Sequence, residues 1–137
     1  MDRIAVITGA SGGIGAEVAR ELSRRSWKLA IVGRNKERTA EVARMSDGIP
    51  FVCDFDRLDD VRALAEKLDS RFERIDALVN NAGGIVAKRA VSVDGGELTL
   101  QRNLLGSVVL TERLAGKIAT SGGRVIHLIN GVSVRGY

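Results

Sequence analysis

Short apolar runs alternate with longer amphipathic segments along the whole chain, and this alternation limits the possible folds more than any other feature. Each apolar run has the length of a buried β-strand, whereas the longer segments carry apolar residues at helical spacing. Strands that alternate with helices indicate βαβ units, in which the strands are parallel. The predicted strands cover residues 4–8, 29–32, 51–53, 77–79 and 125–129, and a helix is predicted after each of the first four.

Right-handed crossovers place the helices of βαβ units on both faces of a sheet. The sequence therefore predicts an α/β, Rossmann-type doubly wound parallel sheet with strand order 3-2-1-4-5. No repeat, proline-rich linker or low-complexity tract divides the chain, so we expect one domain over residues 1–137. Asp94 and Glu97 have capping-box spacing ahead of a long helix that is predicted to end near residue 119.

The composition excludes several classes of protein. The chain has 21 Lys and Arg against 17 Asp and Glu, a formal net charge of +4. Most basic residues stand near acidic ones, as on solvated helix faces, and aromatic residues do not interleave with them, so nucleic-acid binding is not expected. No uncharged stretch is long enough to span a membrane. The single cysteine, Cys53, is predicted to be a core residue and favours a reducing, cytoplasmic location.

The turn between the first strand and the first helix is rich in glycine. Residues 8–15 read Thr-Gly-Ala-Ser-Gly-Gly-Ile-Gly, with the spacing G-x-x-x-G-x-G. Glycines let the backbone approach a pyrophosphate, and the N–H groups that open the next helix then face that anion. A flexible turn that binds nothing is the alternative. In a βαβ context the turn predicts dinucleotide binding by Gly9, Ser11, Gly12, Gly13, Ile14 and Gly15.

The same turn also matches G-x-S-x-G, the nucleophile elbow of α/β-hydrolases, with Ser11 as the nucleophile. Only eight residues precede Gly9, whereas an elbow follows a strand deep in a sheet. The only histidine, His127, falls within a predicted strand, although a triad histidine normally needs a loop. A serine hydrolase is therefore kept as a minor alternative.

The glycine turn and two further motifs together resemble the short-chain dehydrogenases/reductases. These motifs are Asn-Asn-Ala-Gly at residues 80–83, after the fourth strand, and Asn103 in the long helix. The resemblance runs in register over residues 3–134. It implies an NAD(P)-binding Rossmann domain and an oxidoreductase that transfers hydride between a nicotinamide cofactor and a carbonyl or alcohol substrate. The segment of residues 94–111 is more similar to the retinol and protochlorophyllide-type branch.

The resemblance also assigns roles to individual residues. Gly9, Gly13 and Gly15 match the pyrophosphate-binding glycines, and Asp54 matches the family's adenine-facing acid. Asn103 matches an asparagine that holds a water between the catalytic lysine and solvent. Because asparagine is unfavourable within a helix, we expect a contact that holds Asn103 in place. The match further assigns cofactor binding to Phe55, Asn81, Ala82 and Gly83.

The acids around Asp54 also have simpler interpretations. Asp54 is equally well explained as a turn residue, and Asp56 with Asp59 resembles an N-cap pair at the start of the third helix. A calcium-binding loop is rejected because its sixth position, which needs glycine, is Asp59, and its final glutamate is Ala65. No metal site is expected.

The end of the second strand favours NADP over NAD. The family's NAD-binding members place an acid there for the ribose hydroxyls, and an acid would repel a 2′-phosphate. Here the sequence is Gly33-Arg34-Asn35, and a guanidinium can pair with phosphate through two hydrogen bonds. Arg34 and Asn35 are therefore predicted in the cofactor site, the alternative being an arginine that only begins a helix.

The family's catalytic Tyr-x-x-x-Lys pair is missing from the 137 residues. Its lysine lowers the tyrosine pKa, and a serine after the fifth strand polarises the substrate carbonyl. The serine position falls on Asn130, Ser133 is the nearest hydroxyl, and Tyr137 comes too early. We therefore expect an incomplete, NADP-binding portion of an oxidoreductase that is inactive alone. A non-catalytic nucleotide-binding or regulatory module is the alternative.

A chain that ended after the fifth strand would expose a sheet edge and part of an apolar helix face. Such surfaces favour association. We therefore expect a homo-oligomer, or pairing with the missing C-terminal segment. The substrate is expected to be a small carbonyl or alcohol compound, whose identity the sequence does not determine.

Overall fold

Five parallel strands form the sheet. In a computed structural model, which describes residues 2–129, they are β1 (Ile4–Ile7), β2 (Lys28–Gly33), β3 (Ile49–Val52), β4 (Ala77–Asn80) and β5 (Arg124–His127). Their order is β3-β2-β1-β4-β5, so the predicted strand order is confirmed. In the centre, Ala5 of β1 lies beside Leu29 of β2 on one side and Ala77 of β4 on the other.

Helices connect the strands and cover both faces of the sheet. They are α1 (Gly13–Arg24), α2 (Lys36–Met45), α3 (Leu58–Arg71), α4 (Leu98–Leu100) and α5 (Gly106–Thr120). Successive residues of β1 pack in opposite directions: Ile7 joins the apolar cluster under α1 and α2, and Val6 joins the cluster under α3 and α5. Because both faces are covered, β1 is buried at every position, which explains its uninterrupted apolar sequence.

The long helix that was predicted to end near residue 119 is divided in the structure. α4 is a single turn, and a wider π-helical turn, Gln101–Leu105, joins it to α5. The fully buried Gln101 donates from Nε2 to the carbonyl oxygen of Phe55 and to Oδ2 of Asp94, at 3.3 and 3.1 Å. Such π-helical turns are frequent at functional sites. Apolar spacing did not reveal this one because Phe55 is 46 residues away in sequence.

Both capping predictions were wrong because other partners bind the helix ends. α3 begins at Leu58 without the predicted Asp56–Asp59 cap, and the Leu58 N–H donates instead to Asp94 Oδ2 at 2.9 Å. Glu97 is the residue that caps α4, accepting hydrogen bonds from two N–H groups of that turn. Asp94 thus caps α3, which lies 36 residues earlier in the chain, rather than the helix that follows it.

Asp76, just before β4, links the beginning of β4 to the beginning of β1. Its Oδ2 accepts the Ile4 N–H of β1 at 2.8 Å, and both carboxylate oxygens accept hydrogen bonds from the guanidinium of Arg74. The hydrogen bonds from Arg74 hold the pKa of Asp76 below its ordinary value, and the Ile4 N–H adds to this effect. The charged form of Asp76 therefore stabilises the folded chain.

We expect Asp76 to contribute to the loss of stability in acid. A carboxyl whose pKa is lower in the folded than in the unfolded chain stabilises the fold above its unfolded pKa, and this stabilisation is lost as the pH falls through the folded pKa. Asp76→Asn should lower the free energy of unfolding at pH 7 and reduce its further decline below about pH 4. Urea unfolding at pH 7 and pH 3 measures both effects. Parallel pH profiles for the two proteins would contradict this role.

Candidate functional site

A cleft opens where the parallel strands end at their carboxyl edge. Its wall is formed by the segments that follow β1, β2, β3 and β4, together with one residue of the π-helical turn. In a doubly wound sheet this edge, next to the point where strand order reverses, is where ligands bind. The lining residues are Gly9, Ser11, Gly33, Arg34, Cys53, Asp54, Phe55, Asp56, Ala82, Gly83 and Arg102.

The structure divides the predicted cofactor residues into two groups. The residues that line the cleft are Gly9, Ser11, Arg34, Asp54, Phe55, Ala82 and Gly83. The others do not line it. Gly12, Gly13 and Ile14 are exposed at the start of α1, Gly15 is buried beneath the turn, and Asn35 and Asn81 bond to backbone groups. Their roles in binding remain predictions.

The glycine turn needs glycine where other backbone comes close. Gly9 has φ of +62°, in the left-handed region, and a Cβ there would lie 2.9 Å from the Asn81 carbonyl oxygen. A Cβ on Gly15 would lie 2.6 Å from the Gly9 carbonyl oxygen. Gly13 also has a positive φ, +56°, but faces open space. The turn is therefore packed against the segment after β4 at Gly9 and against the start of α1 at Gly15, and it stays open at Gly13.

The start of α1 is free of the groups that normally occupy a helix N-terminus. Its N-cap, Gly12, offers no side-chain hydrogen bond, and its first turn contains no acid. Ile14, in that turn, is 61% exposed. The first N–H groups of a helix carry partial positive charge and need acceptors, so this end of α1 suits an anion supplied from outside the chain.

Thr8 and Asn81 join the glycine turn to the segment after β4. The buried Thr8 hydroxyl accepts the N–H groups of Asn81 and Ala82 at 3.0 and 2.9 Å and donates to the Val79 carbonyl oxygen at 3.3 Å. In return, Nδ2 of Asn81 donates to the carbonyl oxygens of Thr8 and Gly9, both at 3.2 Å. Asn81 thus fixes the shape of the cleft from behind its wall.

The expected contact that holds Asn103 in place is with the loop after β4. Its Oδ1 accepts the Gly84 N–H at 3.0 Å, and its Nδ2 donates to the carbonyl oxygens of Gly84 and Thr99, both at 2.9 Å. A Cβ on Gly83 would lie 2.5 Å from Asn103 Oδ1, so the two segments approach closely. The water-binding role that the resemblance implies for Asn103 remains a prediction.

Two residues of the β3–α3 segment fit the simpler interpretations. Asp54 lines the cleft, but its Oδ1 also accepts the Asp56 N–H at 2.9 Å, as in a turn. Cys53 is buried, as predicted, and burial raises the pKa of its thiol to about 12. A neutral, buried thiol is not a nucleophile.

Arg34, Asp56 and Arg102 form a charged group at one side of the cleft, which we call the cleft triad. Arg102 Nε and Nη2 donate to the two carboxylate oxygens of Asp56 at 2.9 and 2.6 Å, and Arg34 Nη1 lies 3.8 Å from Asp56 Oδ2. The hydrogen bonds from Arg102 hold the pKa of Asp56 below its ordinary value, and nearby Arg34 adds to this. Asp56 in turn raises the pKa of Arg102.

Four residues that line the cleft were not among the predicted site residues: Gly33, Cys53, Asp56 and Arg102. Asp56 was assigned to a helix cap, and Arg102 was one more arginine on a predicted helix. Arg102 stands next to Asn103, and that position was the one available signal for it. The missing information was the pairing of two residues 46 positions apart.

The geometry does not favour the hydrolase alternative. Ser11 lines the cleft beside Gly33, whereas His127 lies on β5, on the other side of β4 from the strand that leads to Ser11. The His127 Nδ1 lies 3.3 Å from Nδ2 of Asn80, and Asn80 also donates to the Thr111 hydroxyl at 2.9 Å. A catalytic triad needs its histidine beside the nucleophile.

Comparison with known proteins identifies the family. The family model described as short chain dehydrogenase matches residues 3–137. The chain belongs to the short-chain dehydrogenase family. Among its relatives, the proposed daunorubicin C-13 ketoreductase DnrU of Streptomyces sp. (strain C5) is 42% identical over 130 residues, which cover 90% of this chain and 45% of that protein. The chain spans about half the length of several curated relatives that it matches.

Solved structures of short-chain dehydrogenases share this fold. A metagenomic short-chain oxidoreductase in complex with NADP superimposes with a TM-score of 0.78 at 27% identity, covering 91% of this chain and 61% of that one. L-sorbose reductase from Gluconobacter frateurii, in complex with NADPH and L-sorbose, gives a TM-score of 0.78 at 26% identity, covering 92% and 51%.

Three further predictions concern the catalytic serine and tyrosine positions, a membrane-spanning helix and a metal site. Asn130, Ser133 and Tyr137 lie outside the described residues, so the positions discussed for the catalytic serine and tyrosine remain predictions. Within residues 2–129, no helix has the length and apolar character to cross a membrane. The same part of the chain holds no group of three or more potential metal-ligating side chains.

Proposed function

We propose that this chain is the cofactor-binding domain of an NADP-dependent short-chain oxidoreductase. The observation that carries the proposal is the cleft itself. The glycine turn lines the cleft with Gly9 and Ser11 and leads directly into the uncapped start of α1. Arg34, at the end of β2, lies in the wall of the cleft. One feature suits a pyrophosphate and the other suits a 2′-phosphate. NADP carries both groups.

The residues present fit this cofactor. Close backbone packing holds Gly9 against the segment after β4 and Gly15 against the glycine turn, while open space at Gly12 and Gly13 leaves room for a ligand against the first turn of α1. Two similar solved structures hold NADP or NADPH, which supports the same assignment here. When bound, a nicotinamide cofactor supplies or accepts the hydride.

The chain's own contribution is to bind and orient the cofactor. Thr8 and Asn81 hold the Ala82–Gly83 wall against the glycine turn, and Asn103 anchors the following residue, Gly84. We assign Asn103 to the catalytic machinery as the resemblance implies, through a bound water. The proton-transferring tyrosine and lysine would come from beyond the 137 residues, with Asn130 or Ser133 at the serine position.

The whole protein would reduce a carbonyl or oxidise an alcohol in a small molecule. Members of this family act on small-molecule substrates and commonly form oligomers. A homo-oligomer is therefore part of the proposal, and the single cysteine, the buried Cys53, supports a reducing, cytoplasmic location as a further part of it.

Nucleotide titration tests the proposed cofactor. We expect the protein to bind NADPH more tightly than NADH, and Arg34→Gln to weaken NADPH binding about tenfold while NADH binding changes little, because only NADPH has a 2′-phosphate. Fluorescence of the reduced nicotinamide reports both affinities.

Arg44→Gln is the matched control for this experiment. It removes the same charge from the exposed far end of α2 and should leave both affinities unchanged. Equal affinity of the unmodified protein for NADPH and NADH would refute NADP dependence. No binding of either would refute the nucleotide site.

A further inference from the structure

The carboxylate of Asp56 lies where it opposes the proposed cofactor. It lines the cleft and is 3.8 Å from the guanidinium of Arg34, the residue assigned to the 2′-phosphate. A carboxylate at this distance competes with a phosphate for the same guanidinium and repels the phosphate charge. A cleft that binds NADP therefore needs a means of restraining Asp56.

Arg102 provides that restraint. Its planar guanidinium makes two hydrogen bonds to Asp56, at 2.9 and 2.6 Å, and thereby occupies both carboxylate oxygens. The two side chains are only 20% and 19% exposed, whereas the side chain of Arg34 is 66% exposed. The Arg102–Asp56 pair is thus the closely held part of the cleft triad, and Arg34 is the part that a ligand from solvent can engage.

We propose that Arg102 is a positioning residue that determines cofactor specificity: by neutralising and holding Asp56, it leaves Arg34 available for a 2′-phosphate. This inference rests on the proposed NADP-binding function and adds a second residue to it. Without Arg102, the uncompensated Asp56 carboxylate would pair with Arg34 and occupy the phosphate-binding group. Arg102 itself makes no contact with the phosphate in this scheme.

The π-helical turn explains how Arg102 reaches Asp56. Arg102 precedes Asn103, which is held to the loop after β4 by its hydrogen bonds to Gly84. Gln101, on the other side, is held to the Phe55 carbonyl oxygen, one residue from Asp56. Arg102 therefore stands between two anchored neighbours and faces the β3–α3 segment. The same turn that anchors the cleft wall also supplies the counter-charge.

The experiment compares two nucleotides that differ only in the group at issue. Adenosine 2′,5′-bisphosphate carries a 2′-phosphate and adenosine 5′-monophosphate does not. Calorimetric titration of the protein with each gives two dissociation constants and hence a preference ratio. The variants are Arg102→Gln, Asp56→Asn and the double variant, with Arg25→Gln as control. Arg25 forms an exposed pair with Glu21 at the far end of α1, so that control removes an equal charge away from the cleft.

The decisive result is whether the double variant recovers the preference for the bisphosphate that Arg102→Gln alone is expected to lose. We expect Arg102→Gln to weaken bisphosphate binding about tenfold and monophosphate binding less than about twofold. The reason is that the Asp56 carboxylate, left without its partner, then competes with the 2′-phosphate for Arg34. Removing the Asp56 carboxylate as well should restore the preference to near its original value. Asp56→Asn alone should preserve or increase it, and Arg25→Gln should not change it.

Other results would overturn the inference in distinguishable ways. A double variant as weak as Arg102→Gln would show that Arg102 binds the phosphate directly. Equal losses for both nucleotides, with a lower thermal midpoint, would show that Arg102 is only structural. If the unmodified protein did not prefer the bisphosphate, the proposed NADP function would fail, and the inference with it.

Discussion

Gly15→Ala is expected to lower the free energy of unfolding by about 3 kcal/mol and to abolish nucleotide binding. Helix propensity alone would favour alanine, since Gly15 lies within α1. The added Cβ, however, would lie 2.6 Å from the Gly9 carbonyl oxygen and 2.9 Å from the Ala10 Cα, both backbone atoms that cannot rotate away. The glycine turn would have to move away from α1, and the cleft would lose its shape.

Gly116→Ala provides the matched control for this prediction. Gly116 lies in α5, and a Cβ there would meet no atom within 4 Å. It should therefore be neutral or stabilising by up to about 1 kcal/mol, as helix propensity implies. Urea unfolding followed by circular dichroism measures both variants. Equal stability of the two alanine variants would show that the turn and α1 are not packed as described.

Thr8→Val is expected to destabilise the fold by about 2 kcal/mol and to weaken NADPH binding about tenfold. Valine keeps the shape of threonine but removes the hydroxyl that accepts the N–H groups of Asn81 and Ala82. The Asn81 N–H keeps a second acceptor, the Val79 carbonyl oxygen, whereas the Ala82 N–H loses the acceptor described for it. The wall formed by Ala82 and Gly83 should therefore loosen.

Thr120→Val separates this effect from the general cost of removing a hydroxyl. The Thr120 hydroxyl is exposed and donates only along its own helix, to the Gly116 carbonyl oxygen at 2.8 Å. We expect little change in stability or binding. The measurements are urea unfolding and NADPH titration. Unchanged NADPH affinity in Thr8→Val would mean that the wall does not depend on this hydroxyl.

Local sequence patterns were sufficient to predict the sheet and much of the cleft. Apolar runs and helical spacing reflect burial on each element, so strand order followed from βαβ connections without any knowledge of contacts. The glycine turn and the Asn-Asn-Ala-Gly segment could also be recognised, because a position where two backbone segments approach closely accepts only glycine or another small residue. Gly9 and Gly15 are two such positions, because any side chain there would collide with backbone atoms.

The residues that local patterns misassigned are those whose partners are distant in sequence. Asp94 has capping-box spacing with Glu97, but it bonds to the start of α3, 36 residues away. Helix capping rules compare neighbours in the chain, so they cannot identify an acceptor that the fold brings in from another loop. The division of the long helix by the π-helical turn was missed for the same reason, since the bonds of Gln101 lead to another element.

The sequence by itself thus determined the family resemblance, the strand order and the presence of Arg34 at the end of β2. Only the tertiary structure showed that Asp56 faces Arg34 and that Arg102 holds Asp56. The physical reason is that burial and backbone approach restrict each position separately, whereas the pairing of charges depends on which side chains the fold brings together. The net charge of +4 and the position of Arg34 could be read from the sequence, but the membership of Arg34 in the cleft triad could not.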